Sequence, residues 1–225
     1  MYRKKSIIIA ITALTLSLFT GCGDSDTEKS NHSSDTPVVS NVSVPKSGDL
    51  PILSIEQVEI SYSELDHENG TTVPVKFSVS GIKNGWANMG IHIAFDNRLE
   101  VQLDPSGAPA FEKGDAVQYI DAMMSALWSG EAPEKLKGKE MDNLFICSTS
   151  SENTGLNGMI SEFQFVIPAD TEVGDVYNLE FFYNETLDEN GNVIVRDCFT
   201  TVEQDKEIEN YAFANWQNGY IKITD

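Results

Sequence analysis

Few side chains in this sequence are spaced for chemistry. Beyond residue 50 only two histidines occur, His67 and His92, and neither stands in a metal-ligand pattern such as H-E-x-x-H or beside a C-x-x-C pair. There is no glycine-rich phosphate loop and no G-x-S-x-G nucleophile elbow. The 35 Asp and Glu residues would furnish a carboxylate pair for glycoside hydrolysis, but most fall in turns and at strand ends, where a solvated acid is the ordinary explanation. Asp188-Glu189-Asn190-Gly191-Asn192 sets oxygens at alternate positions, as a calcium loop does. Its glycine comes two places early and the bidentate glutamate is missing, so it reads as a hairpin turn. The chain is expected not to be an enzyme, to hold no metal and to need no cofactor of its own.

Charge and the N-terminus narrow the class further. With 15 Lys and Arg against those 35 acids the net charge is −20, which makes nucleic acid and anionic lipid improbable partners. At the N-terminus Arg3, Lys4 and Lys5 precede the apolar run Ile7 to Phe19, followed by Thr20-Gly21-Cys22. That order marks residues 1–21 as a secretion signal. The run is short of the ~20 residues a span requires. The small residues before Cys22 resemble a bacterial lipobox, which implies lipidation at Cys22, although Phe19 replaces the usual leucine. Residues 22–49, rich in Ser, Asp, Thr, Asn and Pro, form a disordered tether with a reach of roughly 30 Å.

Residues 50–225 must hold whatever positions a site, and their rhythm is that of strands. Val73, Val75, Phe77 and Val79 alternate with polar residues. After Asn84-Gly85, Ala87, Met89, Ile91, Ile93 and Phe95 take one face, leaving Trp86, Asn88, Gly90, His92 and Ala94 on the other. Strands are also expected over Leu53 to Ile60 with one slip of register, Leu99 to Leu103, Asn143 to Thr149, Met159 to Phe165, Tyr177 to Tyr183, Val193 to Thr200 and Gln217 to Ile223. Val117, Ile120, Met123, Met124 and Leu127 recur at helical spacing after Asp115, until Gly130 and Pro133 stop them, which predicts a helical insertion acting as a lid or a flap. Glu203 to Ala214 reads as a second helix. The expected fold is all-β, a nine-stranded jelly-roll β-sandwich with helical insertions.

The run VPVKFSVSG, then WANMGIHIAFDNRLEV, then NGMISEFQFVIPADTEVGDVYNLEFFYNE and a terminal NGYIKI resemble a cohesin domain, the receptor module of cellulosomes. The resemblance covers most of residues 50–225. It implies a dockerin-bearing partner whose own paired loops hold calcium, and a protein displayed on the extracellular face of a bacterial membrane. It also implies a docking sheet made of the eighth, third, sixth and fifth strands. Carried onto this sequence, that sheet offers Asn88, Gly90, His92 and Ala94 on the third strand, Ile160, Glu162 and Gln164 on the sixth and Ser148 on the fifth. Tyr211 stands beside it on the second helix. The family's frequent acid two places after Asn88 is Gly90 here. Cys147 and Cys198 would lie at opposite margins of one sheet and remain free thiols. The alternative is a carbohydrate-binding module with Trp86, Trp128 and Trp216 as its platform.

Cys22→Ala is expected to release the protein from membranes or leave an uncleaved precursor in a cell fractionation. Correctly processed protein still retained on the membrane would contradict lipidation.

Overall fold

A computed structural model describes residues 51–128, 136 and 139–225. The expected leader, the Cys22 site and the tether lie outside the described residues, as do Gly130 and Pro133.

The first predicted strand is two strands that belong to different sheets. β1 (Ile52–Ile55) pairs antiparallel with β3 (Thr71–Ser80), whereas β2 (Gln57–Ser61) crosses over and runs parallel to the last strand, β14 (Gly219–Thr224). The slip of register between Ile55 and Val58 is this crossover. β4 (Asn88–Asp96) and the short β5 (Glu100–Val101) follow, then β6 (Phe111–Lys113).

The segment expected to be a helical insertion is mostly strand. Only Asp115–Val117 forms a single 3-10 turn; after it β7 (Ala122–Leu127) pairs residue for residue with β8 (Met141–Thr149). The helical spacing was real but ambiguous, because Met123 and Ser125 also satisfy alternation against the β8 edge. Pairing with an open sheet edge outweighs an isolated helix, although the strand leaves Met124 and Leu127 62% and 50% exposed.

β9 (Gly158–Ile167), β10 (Val176–Phe182), β11 (Glu185–Leu187), β12 (Val193–Arg196) and β13 (Cys198–Thr200) complete the strands, and the predicted eighth strand is thus divided. The second predicted helix is present as α1 (Lys206–Ala214). Asp205 caps it, its side chain accepting from the N–H groups of Glu207 and Ile208.

The strands make a β-sandwich of jelly-roll type. One sheet has the order β1-β3-β9-β5 with β6 also on β9; the other has β2-β14-β10-β4-β8-β7 with β13 also on β4; β11 and β12 form a separate hairpin. Between the sheets Val73, Val75 and Phe77 meet Ile91, Ile93 and Phe181, and edge-on ring pairs lock the middle: Phe77 with Phe163, and Phe95 with Phe165, each at 5.3 Å. Each such fully buried ring contributes about 1.5–3 kcal/mol. At one end Trp86, wholly buried, packs on Phe199 and donates from Nε1 to the Leu156 carbonyl at 3.0 Å.

Gly155 lies flat under that indole, and a Cβ there would come within 2.4 Å of the ring. Gly155→Ala is therefore expected to destabilise the sandwich by roughly 1–3 kcal/mol through overpacking. An unchanged denaturant midpoint would contradict this packing.

Candidate docking face on the β4 sheet

Alternation along β4 decides what the outer face of its sheet can offer. Met89, Ile91, Ile93 and Phe95 point to the core, which leaves Asn88, Gly90, His92 and Ala94 outward. Pairing extends these positions into cross-strand rows. In the first row Ala122 faces Thr149, and Thr200 faces Asn88. In the second, Met124, Cys147, Gly90 and Cys198 stand side by side. The third holds Ala126, Phe145, His92 and Phe182.

The two ends of this face differ. Towards the third row and beyond it is covered: Ala94 is fully buried in a small cluster with Leu136 and Phe182, flanked by Trp128 and Met141. His92, 1% exposed, sits among the rings of Trp128, Phe145 and Phe182 at 4.5, 4.6 and 5.3 Å. Its Nδ1 donates to Asp197 Oδ1 at 2.7 Å. Burial pushes the Asp197 carboxyl upward, an effect opposed by the hydrogen bond and charge of His92. Towards the first row the face is open. Ala122, Met124 and Thr149 are exposed, and Asn88 is half-buried with its Oδ1 accepting from the Thr149 hydroxyl at 2.7 Å.

Neither of the first two rows carries a charge, which sets this face apart from the outside of the opposite sheet, where Lys76, Glu112, Glu162 and Gln164 stand. Two acids, Asp121 and Glu203, precede or follow the strands of the open end in sequence. Asp121 accepts from the Ser151 N–H at 2.9 Å, and that bond leads the causes holding its carboxyl below the usual range. Asn153 donates to Glu203 at 3.1 Å and acts on it in the same direction. Both therefore stay ionised well below neutral pH.

Several predicted contacts are corrected by this geometry. Asn88 is on the open face as expected. Gly90 is on the face but is not bare backbone, because a Cβ there would meet the Phe145 ring at 3.4 Å and Cys198 Sγ at 3.7 Å. His92 and Ala94 point outward yet are covered. Ser148 lies opposite Met89, so alternation turns it inward, and it is 6% exposed. β9 belongs to the other sheet, which removes Glu162 and Gln164 from the face; they hydrogen-bond each other at 3.0 Å. Ile160, 2% exposed, is core and no surface anchor. Tyr211 is half-buried on α1, which packs against β13 and β1 through Ile208 and Ala212. The sequence reading missed β7. Its signal was the Ala122, Met124, Ala126 alternation beside a β-rich segment.

The tryptophan platform is absent among the described residues: Trp86 is buried, and Trp128 and Trp216 are half-buried against other rings. Cys147 and Cys198 are free, but not because they sit at opposite margins. They flank β4, about two strand spacings or ~10 Å apart, beyond the reach of a bridge.

No family model matches the chain, and no curated protein matches it. Among solved structures it is similar to a type III cohesin module from the cellulosomal ScaE cell-surface anchoring scaffoldin of Ruminococcus flavefaciens, with 26% identity and a TM-score of 0.61 over 78% of this chain and 88% of that one. It is also similar to the sixth cohesin of Acetivibrio cellulolyticus scaffoldin B, in complex with a Cel5 dockerin mutant (14% identity, TM-score 0.49, covering 77% and 98%). A third is the Clostridium thermocellum OlpA cohesin in its complex with the dockerin Doc918 (13%, 0.46, covering 77% and 98%).

Burial pushes the Cys147 thiol up, and burial with the negative charge of Glu209 and Asp197 pushes Cys198 up to about 11. In a Cys22→Ala chain, non-reducing denaturation is expected to release two thiol equivalents. Native alkylation should be slow at pH 7 and rise with pH as thiolate forms. A mass two hydrogens below the reduced form would overturn the strand placement.

Proposed function

On a chain that has the cohesin fold, we propose that the open end of the β4 sheet captures a dockerin, and that the protein is a binding module rather than an enzyme. The single observation that carries this reading is the uncharged face of Ala122, Met124, Thr149 and Asn88 on a chain of net charge −20, in a fold similar to a cohesin at 26% identity. An exposed methionine among small residues gives an adaptable apolar contact, and Asn88 can both donate to and accept from a partner backbone. The acids next to the strands of this face, Asp121 and Glu203, suit a partner whose rim is basic.

The same reading extends to where the module works. A signal over residues 1–21, lipidation at Cys22 and a tether over 22–49 would hold the domain at residues 50–225 outside the cell, on the extracellular face of the membrane, as part of a cellulosome-like assembly. The R. flavefaciens module comes from a cell-surface anchoring scaffoldin, which supports that placement. Calcium belongs to the partner, where it folds the dockerin's loops.

Calorimetry against a panel of dockerins, in calcium and again with chelator, tests the proposal. Met124→Asp is expected to weaken binding at least tenfold and Asn88→Ala by about five- to a hundredfold, with little change in thermal midpoint. Chelator should abolish binding without unfolding this protein. Binding of cellulose or starch oligosaccharides with no dockerin bound would refute the docking reading.

A further inference from the structure

β10 and β13 lie one after the other along the same edge of β4. Leu179 to Phe182 pair with Phe95 to His92, and Cys198 to Thr200 pair with Gly90 to Asn88. They are two halves of one strand, which the chain leaves at Tyr183 and rejoins at Asp197. The excursion is the β11–β12 hairpin, turned at Gly191 with φ 82° and braced by the Asp188 carboxylate, which accepts from the N–H groups of Asn190 and Asn192 at 2.8 Å each.

The neck of this hairpin is closed by one buried group. Asp197 donates its N–H to the Asn184 carbonyl at 2.9 Å, accepts the Asn184 N–H on Oδ2 at 2.9 Å, and accepts His92 Nδ1 on Oδ1. Arg196, next to it, pairs with Glu209 of α1, which Lys206 also reaches. A buried ionisable pair is a weak source of net stability, but it admits few geometries. These contacts tie the root of the hairpin to β4 and α1.

Its head is apolar without being packed. Leu187, Val193, Ile194 and Val195 are 50%, 51%, 62% and 48% exposed, and among the described residues Val193 to Val195 is the one run of three consecutive exposed large apolar side chains. A two-stranded ribbon is marginal by itself in water. Leaving β-branched apolar residues on it adds nothing to stability and invites association.

We propose that the β11–β12 hairpin is a second docking element: its Val193 to Val195 ridge meets an apolar face of the same partner protein that lies on the Met124 and Cys147 row, and His92 and Asp197 are positioning residues at its root. The proposal rests on the docking reading of the β4 sheet. Continuity argues for it, since the hairpin interrupts the very strand that carries Cys198 into that row. The occupant is a folded protein with apolar side chains rather than a sugar, because the ridge has neither an aromatic ring nor a hydrogen-bonding side chain to offer one.

The experiment uses the full chain and a dockerin that the wild type binds. Ile194→Asp and Val195→Asp are each expected to weaken binding about tenfold or more at an unchanged thermal midpoint. Asp197→Ala should weaken it similarly while speeding amide exchange in residues 185–196 and not in β3 or β9, and Asp197→Asn, which keeps one acceptor, should recover part of the loss. If Met124→Asp abolishes binding but both ridge variants bind as the wild type does, the hairpin role is overturned and the docking face stands. If the wild type binds no dockerin, both fall together. Self-association seen by ultracentrifugation, removed by Ile194→Asp with dockerin affinity unchanged, would assign the ridge to a second copy of this chain and overturn the proposal.

Discussion

From Met89 to Phe95 β4 is buried on both of its faces, and the arrangement of the rest follows from that. A strand with one solvated face can alternate apolar and polar residues freely. Here Ile91, Ile93 and Phe95 fill the space between the sheets while Gly90, His92 and Ala94 on the reverse are also shut off from water. Each reverse position has to be solved separately. Ala94 is small enough to sit under Phe182 and Leu136, and Gly90 lies beside the Phe145 ring, where even a Cβ would be in van der Waals contact. His92 is the difficult one, because a buried imidazole needs a partner for its ring N–H. Asp197 is that partner.

The outer surface of the sheet is therefore divided between structure and contact. Below, an aromatic layer of Trp128, Phe145 and Phe182 extends the core through to a third layer. Above, the side chains shrink to alanine, threonine and asparagine, and the sheet stays bare. A covered lower half stiffens the strands that present the upper half, because side chains locked on two faces leave little room for the sheet to flex. Arg98 adds to this at the far end, where its guanidinium reaches Asp96 and Asp175 and lies 4.4 Å over the Tyr177 ring.

Alternation made much of this legible in the sequence. The run from Val73 to Val79 and the run from Met89 to Phe95 are in the core as their period requires, and the Glu203 to Ala214 pattern is α1 shortened at its start by the Asp205 cap. What alternation cannot say is which sheet a strand joins. Glu162 and Gln164 have the right local pattern, but β9 pairs with β3, a choice made by hydrogen bonding to residues some ninety positions earlier, and the register shift opposite Phe77 and Ser78 puts Ile160 in the core. Ser148 failed for a smaller reason, since shifting the assumed register by one residue exchanges the two faces of a strand. His92 failed because a polar residue on an outward position reads as solvated unless its acid partner, 105 residues away, is already known.

The parallel pairing of β2 with β14 joins the beginning of the domain to its end, with Ile60 beside Ile223 and Val58 beside Ile221. β14 also pairs with β10, so the β4 sheet lacks both of these ladders until residues 219–224 are available. A chain delivered from its N-terminus, by the ribosome or through an export channel, would hold β2 as an unpaired edge until β14 has emerged. Pairing across so long a separation also requires the costliest loop closure of the fold, which places this sandwich among slow folders. The order of assembly is thus written into the topology: the β3–β9 and β4–β8 ladders can form before β14 is available, and the strand that follows β1 must wait for it.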